Sequence, residues 1–257
     1  MVFQRQAQIV ELARTEGTVR VELLVGQFGV SAQTIRKDLN NLCAAGTLLR
    51  THGGAMFPSG VENMQYEARR QIASEEKDAI GRAAAALIPN NASLFINIGT
   101  TTEAVGQALL NHADMMIITN NIIVANRLRV LPKFEVAIAG GIVRASDGAV
   151  VGEAAVDFIK QFKVDFAVIG ASAIDEDGAL LDFDYREVKV AQAIIANARQ
   201  VILVCDSTKF ERSAPVRIAH LSQVDCFITD RCTLPSIRRI CAESDVRLIE
   251  TGMPGHS

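Results

Sequence analysis

Residues 97–109, NIGTTTEAVGQAL, set a glycine before three consecutive hydroxyl side chains and a helix-forming run. Gly99 lets the backbone approach a ligand closely. Thr100, Thr101 and Thr102 bring hydroxyls and amides to the start of the following helix. A helix N-terminus attracts anions, so phosphate is the natural occupant. Turn formation and capping account for the same residues without any ligand. Lys209, beyond a later apolar run, carries a charge able to neutralise a phosphate. Neither the P-loop pattern GxxxxGK[ST] nor GxGxxG occurs, which argues against a nucleotide.

A second stretch, VSAQTIRKDLNNL at 30–42, gathers Gln33, Arg36, Lys37, Asn40 and Asn41 behind a serine. At about 100° per helical residue, Ile35, Leu39 and Leu42 fall on one stripe. Gln33, Lys37, Asn40 and Asn41 lie opposite, flanked by Thr34 and Arg36. Ser31 is placed to cap the first turn. Taken alone, this is the solvated face of an amphipathic helix.

Other groupings point to less. Asp175, Asp177, Asp182 and Asp184 are out of order for a calcium loop and read as solvated turn acids. His112 and His220 stand alone and read as surface or packing residues. Five cysteines without a CxxC pair argue against a disulfide framework or structural zinc. No Ser-His-Asp or Cys-His set assembles by spacing. Neither a metal nor a cofactor is expected.

The elements that must hold these residues are of two kinds. Before Gly46, three helical patterns follow one another: a stripe of Ile9, Leu12 and Ala13, then VELLVGQF anchored by Leu23, Leu24 and Phe28, then the Ser31 helix. Gly29-Val30 makes the tight turn of a helix-turn-helix, whose second helix can enter a DNA major groove. TLLRTHGGAMF then reads as a two-stranded wing with Gly53-Gly54 at its bend. A linker is expected over 58–73, with a helix starting after Ser74 and favoured there by Glu75 and Glu76. From residue 93 the runs SLFINI, MMIIT, FEVAIA, DFAVIGA, QVILVC, DCFIT and VRLIE alternate with helical patterns. Continuous apolar strands between helices predict a mainly parallel sheet covered on both faces. Ligands bind such sheets beyond the carboxyl ends of the strands. There the chain reads NIGTTT, TNN, AGG, GASAID and CDSTKF.

Composition narrows the classes. Of 257 residues, 49% are hydrophobic and 21% charged, which supplies a substantial core and an ordinary soluble surface. Trp is absent and Tyr occurs twice, so stacking on single-stranded nucleic acid is not the expected activity. The amphipathic start MVFQRQAQIVELARTEG is not a signal peptide, and no apolar run approaches the ~20 residues of a membrane span. A cytoplasmic protein without a membrane partner is expected. Residues 1–57 hold six Lys and Arg against four acids, or +2, and the rest hold 20 against 25, or −5. This fits a basic head on an acidic body.

The segment GTVRVELLVGQFGVSAQTIRKDLNNLCAAGTLLRTHGGA resembles the DNA-binding signature of the DeoR family of bacterial sugar-metabolism repressors. Lys37 stands where that family usually has a second arginine, keeping the charge but losing the planar fork that pairs with guanine. The resemblance gives the exposed helix face a use. Gln33, Thr34 and Lys37 are candidates for base-edge contacts, while Arg36, Asn40 and Arg50 suit phosphates. His52 either touches the DNA backbone or packs at the wing.

The resemblance continues through FINIGTTTEAVGQALLNH, TNNIIVANRL, AGGIVRASDGAVVGEAAVDFI and GASAIDEDGALLDFDYREVKVAQAII. These are similar to the DeoR effector domain, which itself resembles ribose-5-phosphate isomerases and CoA transferases. By that likeness Gly99, Thr100 and Thr101 match a phosphate loop. Asn120, Gly140 and Gly141 match further ligand loops, and Glu187, Lys189 and Lys209 match polar positions around the pocket. Asn97 departs from the family's usual Asp. Where the isomerase pattern reads Asp-Gly-Ala-Asp-Glu, this chain has Ile169-Gly170-Ala171-Ser172-Ala173, and the isomerase's lysine falls near Gly178. Sugar isomerisation needs a carboxylate base and groups that stabilise an enediolate, so an enzyme is not expected.

The expected protein is therefore an α/β repressor with four parts: a winged helix-turn-helix (1–57), a linker (58–73), an effector domain (74–252) and a tail (253–257). Its expected partners are double-stranded operator DNA, a sugar phosphate with glycerol 3-phosphate preferred, and further copies of itself as dimer or tetramer. A sugar-phosphate isomerase, or a repressor answering to another sugar phosphate, is the alternative.

Overall fold

The computed structural model describes residues 2–16, 18–44, 47–51, 53–56 and 66–252. His52, residues 58–65 of the expected linker, and the tail 253–257 lie outside these. The chain divides into two units, Met1–Ile72 and Ala73–Ser257.

In the first unit, helices α1 (Val2–Glu16), α2 (Val21–Phe28) and α3 (Ala32–Ala44) enclose a core of Ile9, Ala13, Leu24, Ile35, Leu39, Leu42 and Leu48. Gly29 ends α2 at φ 62°, a left-handed cap that suits a residue without a side chain. Ser31 caps α3, its hydroxyl accepting the Thr34 amide at 3.2 Å. Leu23, expected as an anchor of α2, is exposed instead. It sits two positions from Val21, which faces inward, so the helical turn carries it to the solvent side. The wing has three strands rather than two. The segment β1 (Thr18–Arg20) pairs with β3 (Gly54–Met56), which also pairs with β2 (Leu49–Thr51). Gly54 is needed where β1 crosses: a Cβ there would lie 2.0 Å from the Val19 carbonyl oxygen. Within the segment read as linker, Tyr66–Gln71 forms a short helix, α4.

In the second unit all seven apolar runs become strands of one sheet. They are β4 (Ser93–Ile96), β5 (Met115–Thr119), β6 (Phe134–Ile138), β9 (Val164–Ile169), β12 (Ala198–Val204), β14 (Cys226–Thr229) and β15 (Arg247–Glu250). The order is β15-β14-β12-β9-β4-β5-β6, with every pairing parallel. Alternation along each strand feeds two cores. Leu94, Ile96, Val168, Ile202, Val204 and Ile228 face α5 (Ser74–Ala85), α6 (Thr100–Ala108) and α7 (Ile122–Leu128). Phe95, Ala167, Ile169, Val201, Leu203 and Phe227 face α8 (Glu153–Ile159), α9 (Tyr185–Ala196) and α10 (Pro235–Glu243). Burial on both faces is why the inner strands of this sheet read as largely apolar runs.

Two smaller antiparallel sheets complete the unit. One is the hairpin β7 (Ile142–Val143) with β8 (Val150–Val151), and the other joins β10 (Ala173–Ile174), β11 (Ala179–Asp182) and β13 (Val216–His220). Both follow carboxyl ends of sheet strands, β6 and β9, and fold polar residues back toward that edge.

Candidate effector site and DNA-binding helix

On α3, Gln33, Arg36, Lys37, Asn40 and Asn41 are exposed and Thr34 is half-buried. Beneath them Asp38 is buried and accepts hydrogen bonds from Arg5 Nε (2.6 Å) and Gln6 Nε2 (2.9 Å) of α1. Burial alone would raise the Asp38 carboxyl, but these two partners outweigh it and hold it below its ordinary range. The pairing fixes the polar face of α3 against α1. Arg50 is exposed on the wing and donates to the Gly54 carbonyl at 3.1 Å.

In the second unit the carboxyl edge of the sheet gathers most of the remaining candidates. Gly99 precedes α6 at φ 144°, in a backbone region that a side chain would strain. Thr102 is buried and its hydroxyl donates to the carbonyls of Asn97 (2.7 Å) and Gly99 (2.8 Å), locking the loop. Thr100 is half-buried and Thr101 buried, both in the first turn of α6, whose leading amides have no carbonyl within the helix to bond. Thr102 therefore serves the loop's geometry, while Thr100 and Thr101 head the helix.

Beyond β5, Asn120 is buried and its Nδ2 donates to the Val150 carbonyl at 3.3 Å. Beyond β12, Lys209 is buried in the turn Ser207–Glu211, which Asp206 caps by accepting the Thr208 amide at 3.2 Å. Burial pushes the Lys209 ammonium down to about 8, with Asp206 pulling the other way. Burial would likewise raise Asp206, but Lys209 and Lys77 outweigh it and hold that carboxyl low. Gly140 and Gly141 are exposed after β6, and Gly141, at φ 150°, passes close to the Val151 carbonyl. Lys189 points away as an exposed residue of α9, while Glu187 on the same helix is buried.

Several residues that spacing alone did not single out complete the site. Arg144, held in the β7–β8 loop, donates to Asp147 through Nε (2.9 Å) and Nη2 (2.6 Å), to Asp184 through Nη1 (3.1 Å) and to Glu187 through Nη2 (2.5 Å). Asp182, expected as a solvated turn acid, is buried instead. The β10–β11 hairpin returns Asp182 to the buried carboxyl edge, where its carboxylate accepts the Ser172 hydroxyl at 3.2 Å. Burial and the nearby Asp182 push the Glu187 carboxyl up, with Arg144 opposing them. Asp184 caps α9, and the hydrogen bond from Arg186 leads in holding it at about 2 despite partial burial. His112 is a packing residue, with Nε2 2.9 Å from the Ile88 carbonyl. All five cysteines are free, and four of them are buried.

Three buried acceptors at this edge have no hydrogen-bond donor in the protein: Asn97 Oδ1, Asn120 Oδ1 and Asp206 Oδ2. They follow β4, β5 and β12. An unmet buried acceptor costs about 1–3 kcal/mol. The edge thus offers acceptors for hydroxyl groups, a buried ammonium at Lys209 next to Asp206, and a helix N-terminus for an anion. Among the described residues, no group of three or more His, Cys, Asp or Glu is placed to hold a metal ion.

Family comparison decides what kind of protein carries this arrangement. The DeoR-like helix-turn-helix domain matches residues 5–61, and the DeoR C terminal sensor domain matches residues 72–231. The chain belongs to the DeoR family. This DeoR-family repressor is 47% identical over 245 residues to the glycerol-3-phosphate regulon repressor of Escherichia coli (strain K12), covering 95% of this chain and 97% of the relative. It is 49% identical over 225 residues to the glycerol-3-phosphate regulon repressor of Haemophilus influenzae, covering 88% of each chain. Among solved structures, ribose 5-phosphate isomerase A from Neisseria gonorrhoeae is 11% identical with a TM-score of 0.39, covering 53% of each chain. The repressor is thus a DNA-binding transcriptional regulator with a sensor domain, and among its described residues no helix is long and apolar enough to cross a membrane.

Proposed function

We propose that this repressor binds operator DNA and releases it when a small polyol phosphate, glycerol 3-phosphate first, fills the carboxyl edge of the large sheet. The observation that carries the reading is the pairing of opposites at that edge. Lys209 and the head of α6 suit a phosphate, and the donor-less oxygens of Asn97, Asn120 and Asp206 suit hydroxyl groups. A ligand bearing both ends meets both needs. The names of the two relatives above favour glycerol 3-phosphate over other sugar phosphates. Asn97, neutral where the family usually has an acid, accepts a hydroxyl without repelling the phosphate.

On the DNA side, Gln33, Thr34 and Lys37 read base edges, and Arg36, Asn40 and Arg50 hold phosphates. Residues 1–57 form the head, 58–73 the linker, 74–252 the effector domain and 253–257 the tail. The heads act in pairs on a two-fold symmetric site, which requires a homo-oligomer of two or four chains. The protein works in the cytoplasm without cofactor, metal or membrane partner.

Asp182 beside Glu187 supplies two of the carboxylates that an isomerase reading asks for. Glu187, however, is tied to Arg144 at 2.5 Å, which favours a fixed hydroxyl acceptor over a mobile base. A thermal-shift screen of small phosphorylated metabolites, run beside an aldose–ketose phosphate conversion assay, tests the proposal. Glycerol 3-phosphate should raise the melting temperature while no aldose phosphate is turned over. Turnover lost in Glu187→Gln would install the enzyme reading instead.

A further inference from the structure

A cleft of about 370 Å³ opens between α1 and the polar face of α3, lined by Arg5 of α1 and by Gln33, Thr34, Lys37, Asp38 and Asn41 of α3. Neither Arg5 nor Asn41 belongs to the DNA contacts read from the motif. The Arg5 side chain is 16% exposed and is held at one end only, where Nε donates to Asp38 Oδ2 at 2.6 Å. The other carboxylate oxygen, Oδ1, already accepts Gln6 Nε2 at 2.9 Å. Among the described residues, neither Nη1 nor Nη2 of Arg5 makes a hydrogen bond. A buried carboxylate thus fixes the guanidinium by Nε and leaves its two-nitrogen edge without a protein partner.

Charge and position say what that edge meets. The described lining residues hold two cations, Arg5 and Lys37, against the one carboxylate of Asp38, so the cleft carries a positive excess. Lys37 acts on the Asp38 carboxyl in the same sense as Arg5. Asn41 lies one turn beyond Lys37, on the same side of α3. A helix about 10–12 Å across fills most of a major groove about 12 Å wide, so a side chain on the neighbouring helix meets the sugar-phosphate wall. Tied to Asp38, the Arg5 fork cannot follow α3 down to a base edge.

We infer that the cleft between α1 and α3 seats a DNA phosphodiester flanking the bases that α3 reads, with the Nη1–Nη2 edge of Arg5 donating to its oxygens and the Asn41 amide beside it. This rests on the reading of α3 as the helix that enters the groove, and adds a second helix to the contact. Guanidinium and phosphate pair through two parallel hydrogen bonds, which fixes direction as well as distance. Asp38 is then a positioning residue: it holds Arg5 in place before DNA arrives, so the long side chain loses little freedom on binding. A backbone contact of this kind sets where the head sits on the duplex and carries no sequence preference of its own.

Phosphate-ethylation interference and the salt dependence of binding test the inference, using full-length protein and a duplex that it selects from a random pool. Arg5→Met and Arg5→Gln should each erase interference at one phosphate in every half-site and leave base preference unchanged. Each should also reduce the slope of log affinity against log salt by about 0.9 for every bound head. Affinity should fall about 10- to 100-fold per head, the value of a charge-assisted contact. Arg5→Lys, which keeps the charge, should retain the slope. Arg5→Gln keeps a donor for Asp38, so a purely structural tie predicts wild-type slope and interference for it. It decides the matter even if Arg5→Met does not fold. Unchanged slope and interference in Arg5→Gln, or an altered base preference, overturns this inference and leaves the reading of α3 standing. Failure of wild type to select any duplex from the pool overturns both.

Discussion

Replacing Arg144 by Met tests how the β7–β8 loop and α9 are held together. The guanidinium makes four hydrogen bonds to three carboxylates, two of them to Asp147. Side-chain exposure is 2% for Asp147, 11% for Glu187 and 17% for Asp184, so water replaces little of what is lost. Removing one partner of a buried ion pair costs about 3–5 kcal/mol. Asp184 keeps Arg186 and softens the loss, and Asp147 keeps the Ala149 amide, which donates to its Oδ1 at 3.3 Å. At about 2–4 °C per kcal/mol for a unit of this size, the expected fall in melting temperature is about 6–20 °C. The pH dependence has a definite sign. The folded carboxyl of Glu187 is already raised to about 8, and loss of Arg144 raises it further. A raised carboxyl stabilises fully below its unfolded value and loses that contribution as pH rises through the folded one. The Glu187 share of the damage therefore opens above about pH 8, growing by up to about 1.4 kcal/mol per unit. Far-UV circular dichroism melts at pH 5, 7 and 9 read this directly. A fall below 2 °C at pH 7, with no widening at pH 9, refutes the clamp.

Three further outcomes are expected. Thr100→Ala with Thr101→Ala should raise the glycerol 3-phosphate concentration for half-release of operator at least tenfold; an unchanged value moves the phosphate off the Gly99–Thr102 loop. Lys37→Ala should cost about 1–3 kcal/mol and relax preference at particular base pairs, whereas Arg50→Ala should weaken all sequences alike and flatten the salt dependence, both read by binding to a randomised duplex pool. Effector affinity should hold up to about pH 8 and then fall up to tenfold per unit as Lys209 loses its proton, read by calorimetry in buffers of different ionisation enthalpy.

What the sequence showed of this architecture follows from where the constraints are local. The inner strands of the large sheet were legible because most of their residues are buried on one face or the other, so their runs are largely apolar; the edge strands β6 and β15 are more exposed and admit Glu135, Arg247 and Glu250. The α3 face was legible because one helix carries the whole pattern, Ser31 to Leu42. The third wing strand was not: Thr18–Arg20 is three residues long and forms only because Gly54, far along the chain, admits its backbone. The β7–β8 and β10–β11 hairpins are two to four residues per strand, too short for any period to register. Their folding back is what unites Arg144 with Glu187, 43 positions apart, and Ser172 with Asp182. Gly99 and the threonines stood out as a candidate because loop and helix are contiguous; Arg144, Asp182, Glu187 and Lys209 come from elements distant in the chain.

The central claim is that ligand at the sheet edge weakens DNA binding by the head, and one titration addresses it. A fluorescein-labelled duplex, selected from a random pool by the full-length protein, is bound and then titrated with glycerol 3-phosphate while anisotropy is followed. Coupling between two sites is typically ~1–3 kcal/mol, so operator affinity should fall about 5- to 150-fold at saturation. Glycerol and inorganic phosphate, each bearing half of the recognition, should release less. Affinity that stays constant up to millimolar glycerol 3-phosphate, and up to millimolar concentrations of other small sugar phosphates, contradicts the account.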